Sequence, residues 1–376
     1  MANATKWDAI TTHTANNYMP TMVDCVFSSS PFMDWMKRKG VIKPFDGGLK
    51  IIQPLMVGGN DNFTTFTGYD NINIKPFDGV TAAEFEWCQW ATGLSLCSLE
   101  ELQNNGAAAM LSLIQTKIKQ TERSTARALN AMFLLSDGTN SGAEVYARGF
   151  DAEGGKRKDY VRWGSDGRQC FAGLPLVVSD TLPFGGIDPT KPGCEFWRSL
   201  VWDFSDRDGE DGDPNPGNGL GVIGYEEISE AISCLSDNGM FGPDLILSDE
   251  KTWRAYKNQL EKRRLITGDG NVSRQGFAKL YVDEVEWMYD RMIPEGTIYL
   301  LNSAHLQLRP HSQEWFKQHP WNGPYNQRAR YQLITGAGQL TTDCRDKLGV
   351  LCNVEIGDEC FPVEVCNASE IGAAAP

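Results

Sequence analysis

The sequence predicts an α+β protein, and three observations carry the prediction. Between 41 and 92, short runs alternate apolar with polar residues and are broken by Gly and Asn, the pattern of strands and turns. One stretch, from about Ala107 to Leu135, keeps a single apolar stripe at helical spacing. The second half alternates short apolar runs with amphipathic segments, as an α/β region does.

Residues 1 to about 40 read as a mixed arm. Its one amphipathic piece sets Phe32, Trp35 and Met36 against Asp34, Lys37, Arg38 and Lys39, with Gly40 as its stop. Leu49 to Val57 reads as a strand that Pro54 confines to an edge or a bulge. Gly58-Gly59-Asn60-Asp61-Asn62 signals a turn, and Phe63 to Thr67 reads as the returning strand of a two-stranded hairpin. Ile72 to Lys75 and Phe85 to Cys88 alternate again. With Thr and Asn on its faces, such a hairpin has too little apolar surface to be stable alone, so it should lie against something else, with another subunit as a candidate.

Ser98 and Glu101 fit a capping box. The long helix has its seam at Leu111, Ile114, Ile118, Thr121, Thr125, Ala128 and Met132, on a surface otherwise wet with Lys119, Arg123, Arg127 and their neighbours. At 1.5 Å per residue it runs about 43 Å. It should lie across a sheet, because Thr121 and Thr125 suit a coiled-coil seam poorly. Residues 139–170 are rich in Gly and charge. Phe171 to Val178 reads as a strand, Pro183 to Gly193 as a turn-rich loop, and Phe196 to Arg198 as the start of an ordered piece. After the polar loop 206–219, helices are expected over Tyr225 to Leu235 and Glu250 to Arg263. Strands are expected over Asp244 to Leu247, Lys279 to Trp287 and Thr297 to Leu301. Tyr331 to Leu340 and Leu348 to Ile356 should form a closing hairpin.

The chain has 376 residues, a length that suggests two to three domains. Its 35 Lys and Arg against 49 Asp and Glu leave a net charge of −14. That argues against a dedicated nucleic-acid binder, since phosphate affinity comes mainly from Lys and Arg. No run of about 18 apolar residues is present to span a bilayer, and Met1 to Ile10 lacks a secretory apolar core. The sequons at Asn3, Asn62, Asn271 and Asn367 therefore need carry no glycan. Of the 10 cysteines, six are scattered singly and Cys344, Cys352, Cys360 and Cys366 crowd the end, with no Cys-x-x-Cys pair. They read as buried, reduced thiols rather than a zinc site.

Chemistry has no clear address. Gly219-Leu220-Gly221-Val222-Ile223-Gly224 matches a dinucleotide loop in letters, but an acidic Pro-containing segment precedes it and Asp244 starts a strand instead of ending one. Asp206 to Gly212 resembles a calcium loop, yet Asp211 and Gly217 stand where Gly and Glu belong. Gly47 to Lys50 lacks the ending of a phosphate loop. His305, His311, His319 and Glu314 fit no common ligand spacing. No catalytic, cofactor or metal site is assigned.

One order of motifs stands out: Asp46 to Leu55, Thr81 to Trp87, Leu99 to Gly106, the long helix ending at Ser136 to Thr139, Phe171 to Val178, Gly185 to Asp188, Pro243 to Ser248, Tyr299 to Asn302, and Thr335 to Leu340. In this order the chain resembles a tailed-bacteriophage major capsid protein over about residues 30 to 355. The resemblance implies the capsid fold shared by tailed phages and herpesviruses. It maps as an N-terminal arm (1–40), an extended hairpin loop (41–92), a peripheral domain with spine helix 107–135 and an insertion (93–169), an axial domain (170–302), and a return to the peripheral domain with a C-terminal tail (303–376).

The same resemblance implies a non-enzymatic, self-assembling subunit whose hexamers and pentamers enclose double-stranded DNA. Its partners would be copies of itself, a separate scaffolding protein, a portal protein at one vertex, and packaged DNA held without sequence specificity; a decoration protein is left open, and no membrane is involved. The location would be the virion, after assembly in the host cytoplasm. The expected inter-subunit contact joins the loop tip (Gly58, Gly59, Asn60, Asp61, Asn62, Phe63 and Phe66) to a neighbour's spine helix at Lys119, Arg123 and Arg127. With no Lys in the tip, cross-linking of subunits through a loop lysine is not expected. The basic stretch Lys156 to Arg168 could face DNA or a neighbour's acids. Two alternatives remain open: a nanocompartment shell of the same fold, and a soluble α+β enzyme using the Gly-rich loop.

Overall fold

A computed structural model describes residues 26–28, 30–57, 62–68, 79–103, 107–139, 145–150, 156–161, 169–204, 224–236, 241–267, 280–323 and 328–354. The first half runs α1 (Pro31–Arg38), β1 (Ile51–Met56), β2 (Val80–Phe85), β3 (Cys88–Cys97), α2 (Ser98–Gln103), α3 (Ala107–Leu135), β4 (Asp137–Thr139), β5 (Val145–Phe150) and β6 (Lys156–Val161). Then follow β7 (Gln169–Ala172), α4 (Leu174–Val177), β8 (Leu200–Asp203), α5 (Tyr225–Leu235), β9 (Leu245–Ser248) and α6 (Glu250–Thr267). The chain closes with β10 (Leu280–Val282), β11 (Val285–Tyr289), β12 (Ile298–Leu301), β13 (Leu306–Pro310), β14 (Lys317–Gln318), β15 (Ala329–Thr342) and β16 (Gly349–Cys352).

Two sheets organise these elements. A mixed six-stranded sheet has the order β10-β11-β9-β12-β16-β8, and a second sheet joins β13, β15 and β14, with β3 also paired to β15. The central strands of the first sheet are apolar on both faces, because each face meets a different core. Leu245, Leu247, Tyr299, Leu301 and Val350 enter one core; Ile246, Ile298, Leu300 and Leu351 enter the other. Their alternation follows from the two-residue period of a strand. The second core is closed by α5 through Ile228, Ala231 and Leu235, one stripe at helical spacing. The first joins the sheets to α1 and to the end of α3 through Phe32, Trp35, Met36, Leu129, Phe133 and Leu134.

α1 forms where the amphipathic segment was expected. Its end is a Schellman motif: Gly40, at φ 67°, donates its N–H to Lys37 O, and Val41 donates to Met36 O. α3 lies against β3. Among its described side chains, Ile114, Thr125, Ala126, Leu129, Asn130, Ala131, Phe133 and Leu134 are buried. Of the expected seam, Ile114 and Thr125 are buried, Ile118, Thr121, Ala128 and Met132 are only half-buried, and the side chain of Leu111 lies outside the described residues. The Thr121 and Thr125 hydroxyls donate to carbonyls one turn back, which settles their polarity within the helix.

Several strand boundaries differ from the sequence reading. The partner of β1 is β2, in register Ile51↔Phe85 to Met56↔Val80, and Phe63 to Thr67 is not a strand. Ala83 and Phe85 bring apolar side chains to the core, whereas Phe63 and Phe66 stay exposed. Phe85 to Cys88 breaks between two strands. At the start of α2, Glu100 accepts the N–H of Cys97; the side chain of Glu101, the expected capping partner, lies outside the described residues. Phe171 to Val178 divides after Ala172, because Pro175 starts a helical turn well and Gly173 lets it pack. Of the strand expected over Lys279 to Trp287, Leu280 to Trp287 is a hairpin, turning at Asp283 and Glu284 with φ of 47° and 69°, and Lys279 lies outside the described residues. β15 and β16 form no hairpin; they belong to different sheets. Of the six cysteines whose thiols are described, none forms a disulfide, but only Cys88 is buried, while Cys97 and Cys234 are exposed at element ends.

A methyl group on Gly173 would lie 2.4 Å from Ser136 O and 2.8 Å from Met132 O, both backbone atoms that cannot yield. Gly173→Ala is therefore expected to cost about 2–3 kcal/mol and to lower Tm by about 3 °C or more, as read by thermal unfolding.

Arg345 is the largest polar group in the interior, with no exposed surface. Its Nε, Nη1 and Nη2 donate to Val177 O, Leu182 O and Leu176 O at 2.9, 3.1 and 3.0 Å. The Leu176 and Val177 carbonyls end α4, where a cation is favoured. Phe184 and Trp197 pack against the guanidinium at 5.7 and 5.9 Å. Burial pulls its pKa down to about 10, partly opposed by Asp180. This residue fixes the crossing from β15 to β16.

Candidate inter-subunit surfaces

β1 and β2 form a ribbon with two unlike faces. Ile51, Gln53 and Leu55 point inward with Ala83 and Phe85. Phe85 packs on Phe184 at 4.8 Å, Gln53 accepts from Arg309 at 2.9 Å, and Glu84 N–H donates to Gly185 O at 2.9 Å. Gly185 and Gly186, at φ 62° and 76°, make the tight turn that brings this carbonyl to the ribbon. The base of the ribbon is thus rooted in its own chain, which corrects the expectation of a hairpin without a core. The opposed pairs Ile52↔Glu84, Pro54↔Ala82 and Met56↔Val80 form the outer face. There Ile52 is 57%, Val80 71% and Met56 91% exposed. Beyond the ribbon, Phe63 is 91% and Phe66 61% exposed. The outer face was not singled out from sequence, although its signal is present. Ile51-Ile52-Gln53-Pro54-Leu55-Met56 is apolar in both phases of a strand, while one side alone is covered.

Of the expected tip residues, Gly58, Gly59, Asn60 and Asp61 lie outside the described residues, and Asn62 begins the next described segment. The three expected spine-helix residues do come together. Lys119, Arg123 and Arg127 line one groove of about 800 Å³, whose walls include Trp90, Leu129 and Met132. Spacing of four residues places the cations along one side over about 12 Å. None of the three makes an ion pair among the described residues. Phe63 and Phe66 of the same chain do not line this groove.

The contacts of α1 with α3 and with the six-stranded sheet include a polar set. Ser30 Oγ donates to Asn130 Oδ1 at 2.5 Å, and Asn130 Nδ2 donates to Asp290 Oδ2 at 2.9 Å. Arg38 links Asp34 to Glu286, and Lys39 pairs with Asp244 at 3.1 Å. Asp244 also accepts from Ser303 N–H and Oγ at 3.0 and 2.6 Å. The acid considered for a nucleotide ribose is therefore committed to a structural turn. Residues 219–223 and the acidic loop lie outside the described residues; Gly224 heads α5 with its N–H donated to Glu227.

The histidines are engaged separately: His305 with Asp343 at 2.9 Å, His311 against Trp87, and His319 with Thr335 at 2.9 Å. Among the described residues, no group of three or more His, Cys, Asp or Glu is placed to hold a metal ion. Likewise, no described helix is long and apolar enough to cross a membrane. The Cys344 thiol is pushed up to about 12, first by burial and then by its contact with Asp346.

No protein-family model matches the chain, and no curated protein matches it by sequence. Solved structures do. A chain of the cyanophage A-1(L) capsid asymmetric unit is 12% identical, with a TM-score of 0.56 over 85% of this chain and 93% of that one. A chain of the satellite phage P4 procapsid, a particle including size determination (Sid) protein, is 9% identical, with a TM-score of 0.50 over 90% and 91%. One from the holo-SrpI encapsulin complex of Synechococcus elongatus PCC 7942 is 12% identical, at 0.49 over 88% and 91%. The first two define the fold: this chain has the α+β fold of phage capsid subunits.

Proposed function

We propose that this chain is the major capsid protein of a tailed bacteriophage. Copies assemble as hexamers and pentamers into an icosahedral shell around double-stranded DNA, in the virion, after assembly in the host cytoplasm. Its role is structural and not enzymatic. A separate scaffolding protein and a portal at one vertex complete the assembly. The observation that supports this reading most is the exposed apolar outer face of a ribbon rooted in a capsid fold. Fully burying Ile52, Met56 and Val80 would gain roughly 5–9 kcal/mol in all. Association costs about 4–15 kcal/mol, so one docked ribbon is marginal. A shell multiplies such contacts under symmetry.

The ribbon's far end docks on the neighbouring copy's spine-helix groove, with Phe63 and Phe66 toward the wall that carries Trp90 and Met132, beside Lys119, Arg123 and Arg127. Deleting residues 58–62 is expected to leave a folded monomer by circular dichroism and no shells by negative-stain microscopy. Normal shells from that deletion would refute the docking. A discrete small oligomer of the intact chain that binds nucleotide would refute the shell. Particles filled with protein cargo instead of DNA would make it a nanocompartment. Lys50 is paired with Glu84 at 2.9 Å at the ribbon base. Mature particles are accordingly expected to give one band at 41.7 kDa on a denaturing gel, and a ladder would contradict this.

A further inference from the structure

The run Thr335 to Leu340 carries two buried glycines, Gly336 and Gly338. Their spacing puts both on one face of β15, between Ile334 and Leu340. Each lies beneath a tryptophan. Gly336 is directly opposed to Trp90 of β3. A methyl group on Gly336 would meet Cζ2 and Nε1 of the Trp90 indole at 2.5 Å, so the ring lies across bare backbone. A methyl group on Gly338 would meet Cζ3 of Trp315 at 3.2 Å. Trp315 and Phe316 stand edge-on to Trp90, with ring centres at 6.1 and 4.8 Å. The Trp90 Nε1 is buried and finds no hydrogen-bond acceptor among the described residues. Packing alone therefore holds this ring. It meets the glycine backbone, the two aromatic rings, and the α3 groove that it lines.

We propose that Gly336 is a positioning residue for the α3 groove: by carrying no side chain it lets Trp90 lie against the sheet, which keeps open the seat for a neighbouring copy's aromatic residue. The inference rests on the docking of the neighbour's ribbon in that groove. The φ of Gly336 is not in the left-handed region, so the backbone itself does not demand glycine. Glycine inside a strand weakens it and marks a close approach; an aromatic ring laid over it offsets the loss. Any larger residue at 336 overpacks the ring. Trp315 and Phe316 block its retreat, so it swings into the groove, toward Leu129 and Met132 on the facing helix. The seat is then filled from within the same chain.

The test uses full-length protein with Gly336→Ala, Trp90→Phe and the two together, beside Gly349→Ala. A methyl group on Gly349 would meet Leu235 Cδ1 at 2.9 Å in the second core, so that variant loses packing away from the groove. Acrylamide quenching of tryptophan fluorescence is read as the difference between a protein and its Trp90→Phe counterpart, which isolates Trp90. Trp90 is 8% exposed in the parent, and Gly336→Ala is expected to raise its quenching. The protein concentration at which shells first form is read by light scattering. Gly336→Ala is expected to raise it about tenfold or more, as the weakening of one apolar contact does. In the Trp90→Phe background the same change is expected to have little effect, because the two residues act through one contact. Gly349→Ala, compared at equal folded fraction by urea unfolding, is expected to assemble like the parent. Unchanged quenching, shells at the parent's concentration, or an equal loss from Gly349→Ala or in the Trp90→Phe background would each overturn the assignment. A parent that forms no shells overturns the docking on which it rests, a failure that none of the other outcomes imitates.

Discussion

Arg345→Met is expected to lower stability by about 4 kcal/mol, a large share of the roughly 5–15 kcal/mol that holds an ordinary domain folded. The substitution keeps apolar bulk between Phe184 and Trp197, so the loss comes from hydrogen bonding. The carbonyls of Leu176, Val177 and Leu182 would be left buried without donors, at about 1–3 kcal/mol each. Arg345→Lys should fall between parent and Met variant, because one ammonium cannot span three carbonyls in a planar fork. Denaturant unfolding followed by tryptophan fluorescence checks both. The pH dependence has a definite sign. The folded pKa is pulled down to about 10, below the ordinary arginine value, so both states hold the proton through the neutral range. Arg345 then adds no slope between about pH 6 and 9; stability rises through this group only above about pH 10, where the folded state gives up its proton before the unfolded one. A stability slope in the neutral range that disappears in Arg345→Met would contradict this account.

The elements that were legible in the sequence are those fixed by local pattern. α1 with its Gly40 stop, α3, α5 and the apolar strands at 245–248 and 298–301 follow from periodicity alone. What was not legible depends on partners distant in sequence. Gly58 to Asn62 looked like a hairpin turn, but β1 pairs with β2, because Ala83 and Phe85 supply inward side chains that Phe63 to Thr67 does not. Tyr331 to Leu340 and Leu348 to Ile356 looked like neighbours across a short loop. A buried Arg345, whose acceptors lie more than 160 residues earlier, sends them to separate sheets. The candidate surfaces were half legible. The basic stripe Lys119, Arg123 and Arg127 follows from helical spacing, whereas the groove beneath it needs Trp90 from β3. Contact chemistry on a shell surface also leaves little signature, since it uses ordinary apolar residues whose exposure is known only after the fold.

Ile52→Asp with Met56→Asp is expected to abolish shell formation while leaving monomer stability within about 0.5 kcal/mol, as surface changes usually do. Both residues lie on the exposed face of β1, and neither enters the core. Leu55→Asp, one residue from Met56, should instead unfold the protein, since Leu55 is 1% exposed and an unpaired carboxylate would enter the first core. The contrast separates assembly from folding on a single strand. A charge placed in an apolar contact would remove at least about 3 kcal/mol from each docking, roughly a hundredfold in its association constant. Because every copy in a closed lattice bears the same lesion, the losses multiply around each ring, and no capsomer can compensate with an intact neighbour. The readouts are size-exclusion chromatography and negative-stain microscopy for assembly, and urea unfolding for the monomer. Shells of normal yield from the Ile52 and Met56 double variant would show that the outer face stays wet in the particle. The groove on α3 would then have to hold the neighbouring ribbon by its tip alone.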